Sequence, residues 1–159
     1  MNAAAPILIG YDGSDTARRA VHESAELFGS RRALVVTVWE PDLAYAASAM
    51  TADPTGLGPE PVDPMAAQEV DEAAQAHAHR VAEEGAALAN SLGVRAEALA
   101  VADEGNVADA IVELARKRDV AAIVVGSRGL SGLRARLEGS TSNAVAKRAS
   151  RPVVLVHED

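Results

Sequence analysis

VAAIVVGSRGLSGLRARLEGSTSNAVAKRASRPVVLV, residues 120–156, decides how the rest of the chain must fold. An apolar run, Ala121 to Val125, stops at Gly126, and Gly129 follows. A basic loop leads to Gly139-Ser140-Thr141-Ser142, then to a short amphipathic helical pattern, Pro152, and a second apolar run from Val153 to Val156. The order is strand, glycine loop, helix, strand. Gly126 and Gly129 let the backbone turn tightly or approach a ligand closely. Gly139 and Ser140 stand where a new helix presents free amides, and free amides bind phosphate.

The same alternation runs through the preceding residues. Pro6 to Tyr11 reads as a strand, and Asp12-Gly13-Ser14 as a turn and helix start with Asp12 or Ser14 as the N-cap. The helix runs to about Phe28 with Ala17, Ala20, Val21, Ser24, Leu27 and Phe28 inward, and Gly29 caps it. Ala33 to Trp39 is apolar on both faces apart from Thr37, which suits the middle of a parallel sheet. Asp63-Pro64 opens a long helix whose expected inner stripe is Val70, Ala73, Ala74, His77, Val81, Leu88 and Leu92. His77 and His79 are two residues apart, so they share no helix face and read as surface or boundary residues, not a metal pair. Val94 to Val101 alternates imperfectly, as an edge strand does. Asn106 caps a helix that Asp119 breaks, Val120 to Val125 is the fourth strand, and Val153 to His157 the fifth. Alternation of this kind predicts a single α/β domain over residues 1–159: a doubly wound, five-stranded parallel sheet with helices on both faces. Ligands in such sheets sit at the carboxyl ends of the strands, where strand order reverses. Two loops qualify, Asp12-Gly13-Ser14 and Gly126 to Ser142; if their strands are neighbours, the reversal lies between them.

Residues 41–63 interrupt this rhythm with Pro41, Pro54, Gly56, Gly58, Pro59 and Pro61, and a small Ala-rich piece around Tyr45 to Met50. The reading is a long flexible connection, either a lid or interface segment or a passive surface loop.

Bulk composition bounds the function. Nearly half of the 159 residues are hydrophobic but few are aromatic, so the core is built from Val, Leu, Ile and Ala. A net charge of -8 argues against non-specific binding of nucleic acid or anionic membranes. With no cysteine there is no disulfide framework or thiolate metal site. The first residues lack the basic and apolar regions of a signal peptide, and no apolar stretch approaches membrane-spanning length, so a soluble cytoplasmic protein is expected. Nine of the 15 basic residues fall between Arg116 and Arg151, opposed only by Asp119 and Glu138. That concentration is an anion site or a solvated helix face with a basic loop; the glycines favour the anion site.

The loop is neither a Walker A run nor G-x-G-x-x-G. Its spacing is GSRG, then LSGLRARLE, then GS, which is G-x2-G-x9-G-(S/T). With the opening ILIGYDGS and the closing SRPVVLV, the chain resembles the universal stress proteins over nearly its whole length, and specifically their ATP-binding subgroup. The resemblance implies an adenine nucleotide alpha hydrolase-like, Rossmann-like sandwich. It places Asp12 beside ribose and adenine, the Val38 backbone at the adenine edge, and Gly126 and Gly129 close to ribose and phosphates. Gly139, Ser140 and Thr141 match the phosphate cradle, with Ser142 a further donor. It also implies ATP with Mg²⁺ held mainly by phosphates and water, a homodimer through residues 153–157, and a regulatory role in stress with an unidentified protein partner.

Arg128 and Arg134 could add charge-assisted contacts to phosphate, or be solvated loop residues. Asp12 could bind ribose or help place Mg²⁺, or simply cap the first helix. No Ser-His-Asp set is recognisable and no general base stands beside the cradle; Glu138 is the only acid in the loop, and His157 reads as an interface or surface residue. Any hydrolysis is therefore expected to be weak. The alternative to an ATP-dependent regulator is a nucleotide-independent interaction module, or a sensor of AMP or a cyclic nucleotide, acting as a homodimer.

Overall fold

Ile7–Gly10 (β1) lies between Ala33–Trp39 (β2) and Ala122–Gly126 (β4) in a computed structural model that describes residues 5–50, 61–103, 105–127 and 140–157. Ala96–Ala102 (β3) flanks β2, Val153–Val156 (β5) flanks β4, and every pairing is parallel. The order β3-β2-β1-β4-β5 reverses at β1, between the two loops that the sequence singles out. β1 and β4 are buried throughout, whereas β3 is half-buried apart from the exposed Glu97, as its imperfect alternation predicts.

Helices cover both faces. Asp15–Phe28 (α1) and Pro64–Ser91 (α3) pack with Ile7, Ile9, Tyr11, Val35 and Val124 on one side. Val107–Lys117 (α4) and Ser140–Arg148 (α5) pack with Leu8, Leu34, Val36, Ile123 and Val125 on the other. The caps follow the sequence signals. Ser14 Oγ accepts from Ala17 N–H, Asp63 caps α3 with Pro64 in its first turn, and Asn106 accepts from Asp109 N–H. Asp119, at a φ of 48°, ends α4 in the left-handed region.

Two expectations need correction. Leu27 is 59% exposed, and Thr16 takes a buried place on α1 instead. Of the expected α3 stripe, Val81 and Leu88 pack against the core, but Val70, His77 and Leu92 are exposed and the fully buried positions are Ala67, Ala78, Ala82, Gly85, Ala86 and Ala89. A helix this rich in alanine has no decisive apolar side, so the docked face is the one small enough to approach the sheet. Within the 41–63 connection, Leu43–Met50 forms a short helix (α2) that packs on α3; residues 51–60 lie outside the described residues.

Tyr11 joins the two layers. Its ring is fully buried, and its hydroxyl donates to Glu84 Oε1 at 3.0 Å, which also accepts from Arg18 at 2.7 Å. Burial first, then the Glu84 carboxylate, pushes the Tyr11 hydroxyl up from 10.0 to about 12. The Arg18 hydrogen bond holds Glu84 below the usual carboxylate range. A raised tyrosine keeps its full contribution to stability below pH 10.0 and loses it as pH climbs towards about 12, because the unfolded chain deprotonates first. Tyr11→Phe should therefore flatten the fall in stability over that window, read as urea midpoints at its two ends; an unchanged slope would remove Tyr11 as its source.

Candidate functional site

The switch point brings together the ends of β1 and β4 and the start of α5. Ile9 is level with Val124, so the turn after β1 and the end of β4 stand at similar height. Strand parity puts Leu8, Val36 and Val38 on the face covered by α4 and α5. Val38 is half-buried near the carboxyl end of β2.

Asp12 is exposed, directly after Tyr11, and its Oδ1 accepts from Ser14 N–H at 3.0 Å. Ser14 is thus the cap of α1, and Asp12 shapes the turn while its remaining lone pairs face solvent. Gly13 holds a φ of +80°, which glycine adopts without strain. Tyr11 is fixed from both sides: its N–H donates to Val36 O at 2.8 Å, and its carbonyl accepts from Thr37 Oγ1 at 2.7 Å. The polar residue in an otherwise apolar β2 therefore anchors the strand end that carries Asp12.

Gly126 is buried, and a methyl group there would lie 2.9 Å from Thr16 Cγ2 and 3.1 Å from the Thr16 carbonyl carbon. This glycine lets α1 cross β4 closely, so its absent side chain has a packing reason as well as the one expected from the motif. Ser142 is 3% exposed and its Oγ donates to Gly126 O at 2.6 Å. Its one hydroxyl proton is committed to β4, which leaves position 142 its backbone amide as a donor. Thr141 is half-buried, and Ser140 is the first residue of α5. The opening amides of α5 have no partners within the helix, and Lys147 and Arg148 suit its far end.

Arg128, Gly129, Arg134, Glu138 and Gly139 lie outside the described residues. His77, His79 and His157 are exposed. Among the described residues no group of three or more His, Asp or Glu side chains is placed to hold a metal ion, and no helix is long and apolar enough to cross a membrane. The latches that sequence reasoning missed are Thr16 on Gly126, Thr37 on Tyr11 and Ser142 on Gly126. Only Thr37, a lone polar residue in an apolar strand, carried a visible signal.

The turn with the exposed Asp12 follows β1, and Gly126 at the end of the neighbouring β4 accepts from Ser142 in the first turn of α5. A carboxylate can accept from hydroxyl groups, and the free amides of a helix start suit anions.

Universal stress protein YxiE of Bacillus subtilis is 28% identical over 150 residues, covering 94% of this chain and 97% of its own. Universal stress protein Rv1636 of Mycobacterium tuberculosis is 29% identical over 163 residues, covering 99% of each chain. A crystal structure of a universal stress protein in complex with cAMP superposes with a TM-score of 0.64 at 25% identity, covering 98% of this chain and 99% of that one. The model of the Universal stress protein family matches residues 4–157, so the chain belongs to that family.

Proposed function

We propose that this chain is an ATP-binding regulatory protein of the stress response, of the family's ATP-binding subgroup. The observation that carries the reading is the start of α5, latched through Ser142 to Gly126 at the end of β4, which pairs with β1 where the strand order reverses. In it, Asp12 takes the ribose hydroxyls and the Val38 backbone takes the adenine edge. Gly126 and Gly129 let ribose and phosphates approach, and Gly139, Ser140, Thr141 and the Ser142 amide cradle the phosphates, with Arg128 adding charge. Mg²⁺ rides mainly on the phosphates and water. The protein acts in the cytoplasm as a one-domain homodimer joined through residues 153–157 and signals to a protein partner, with at most weak ATPase activity.

A second reading, a sensor of AMP or a cyclic nucleotide, is favoured by the cAMP complex of the 25% identical relative. Calorimetric titration of nucleotide-stripped protein with ATP and Mg²⁺, AMP and cAMP separates the two. The first reading expects ATP to bind at about one per chain and most tightly. Ser140→Ala or Gly139→Val should weaken it by about tenfold or more with the fold intact. Tighter cAMP or AMP binding would establish the second reading, and equal ATP affinity in a folded Gly139→Val variant would sink the cradle.

A further inference from the structure

The outer edge of the sheet at β3 is open in a patterned way. Ala33 N–H donates to Arg95 O at 2.9 Å, and Asp103 N–H to Trp39 O at 2.8 Å. The odd-numbered residues of β3 therefore face β2, and Ala96, Ala98, Ala100 and Ala102 turn their N–H and C=O groups outward. The first of these is already occupied. Asn90 Oδ1 accepts from Ala96 N–H at 3.1 Å, and Asn90 Nδ2 donates to Ala96 O at 3.2 Å and to Ala86 O at 2.8 Å. The asparagine amide takes the place of a neighbouring strand for one residue, and among the described residues no strand pairs the rest of that edge.

Exposed edges are usually guarded by lysine, proline or a bulge. β3 reads AEALAVA, with Glu97 its one charge. Leu99 and Val101 are half-buried on the α4 face, beside a groove of about 480 Å³ lined by Val101, Ala102 and Leu114 and by the charged Asp109, Glu113 and Lys117.

The geometry points to β3 as the docking edge for an extended segment of a partner protein, apolar at alternate positions and basic beside Glu97. The open residues supply the backbone hydrogen bonds, Leu99, Val101 and the groove receive alternate side chains, and Asn90 stops the register. A basic residue next to Glu97 makes a favourable cross-strand pair and suits a protein of net charge -8. A second copy fits less well. The antiparallel register that uses Ala98, Ala100 and Ala102 centres on Ala100, and it sets Glu97 opposite the partner's Asp103, a like-charge pair.

The test titrates the full chain with a capped synthetic peptide that carries lysine and then two valines at every second position, with threonine between them, so that one face sets lysine beside Glu97 and valine beside Leu99 and Val101; amide exchange in heteronuclear NMR follows. Saturable binding should slow exchange at Ala98, Ala100 and Ala102 and leave Leu99 and Val101, already paired to β2, unchanged. Ala100→Pro removes an outward N–H without touching the ladder to β2 and should weaken binding about tenfold. Asn90→Ala frees Ala96 and should tighten binding. Absence of saturable binding, protection confined to β5, or indifference to both substitutions overturns the proposal. So does protection of the even-numbered amides in peptide-free protein that grows with its concentration, because a second copy then occupies the edge.

Discussion

Gly85→Ala is expected to lower stability by about 2–3 kcal/mol, although the same change inside an exposed helix raises it by about 1 kcal/mol. The sign reverses because of what the new methyl meets. A Cβ at position 85 would lie 2.7 Å from Tyr11 Cγ, 2.8 Å from Cδ1 and 2.8 Å from Val35 Cγ1. None of these can move aside cheaply. The Tyr11 ring is fully buried with its hydroxyl tied to Glu84, and Val35 stands in β2 between two paired strands. The helix must lift instead, which breaks the Tyr11 hydrogen bond and opens the layer formed by Ala82, Ala86 and Ala89. Ala87 faces solvent on the same helix, so Ala87→Gly should cost only the ordinary propensity difference of about 1 kcal/mol. Urea midpoints of the two variants check this pair. A Gly85→Ala protein as stable as the parent would mean that α3 does not dock through that glycine.

The position of Gly85 shows where sequence reading stops. Strand and helix order were legible because each strand is a short apolar run bounded by a cap signal: Ile7–Gly10 before Ser14, Ala33–Trp39 before Pro41, Ala122–Gly126 before the glycine loop. The edge character of β3 was legible from Glu97 breaking its apolar pattern. The rotation of α3 was not. With so much alanine, hydrophobicity favoured the stripe with the largest residues; its Val81 and Leu88 border the core, but Val70 and Leu92 are exposed. Steric closeness selected the face, and closeness depends on Tyr11 and Val35, which are remote in sequence. The candidate site divides in the same way. The spacing of Gly126, Gly139 and Ser140 is visible in one dimension, as is Asp12 at a strand end. The latches are not, because nothing local joins Ser142 to the carbonyl of Gly126 or Thr16 to the space above it. A motif glycine therefore carries two explanations, ligand approach and packing, and only the structure supplies the second.

Those two explanations for Gly126 make different predictions. If the glycine served ligand approach alone, Gly126→Ala would leave the nucleotide-free protein as stable as before. The packing predicts a loss of about 1–3 kcal/mol, because the added methyl meets Thr16 Cγ2 at 2.9 Å and the Thr16 backbone carbon at 3.1 Å. Thr16 stands in the first turn of α1, two residues after the Ser14 cap, so relief of the clash moves the helix start and with it the Asp12 turn. On the other side, the Gly126 carbonyl holds Ser142 in the first turn of α5. One methyl group thus separates the two halves of the proposed cradle, and adenine nucleotide binding should fall by about tenfold or more. Thr16→Ser removes the methyl at 2.9 Å and keeps the hydroxyl, so the Gly126→Ala, Thr16→Ser double variant should regain part of both losses. Denaturation of the nucleotide-free protein and nucleotide titration of the three variants give the full cycle. Stability recovered without affinity would mean that Gly126 also borders the ligand directly. Affinity lost with stability unchanged in Gly126→Ala would sink the packing role and leave ligand approach as the whole explanation.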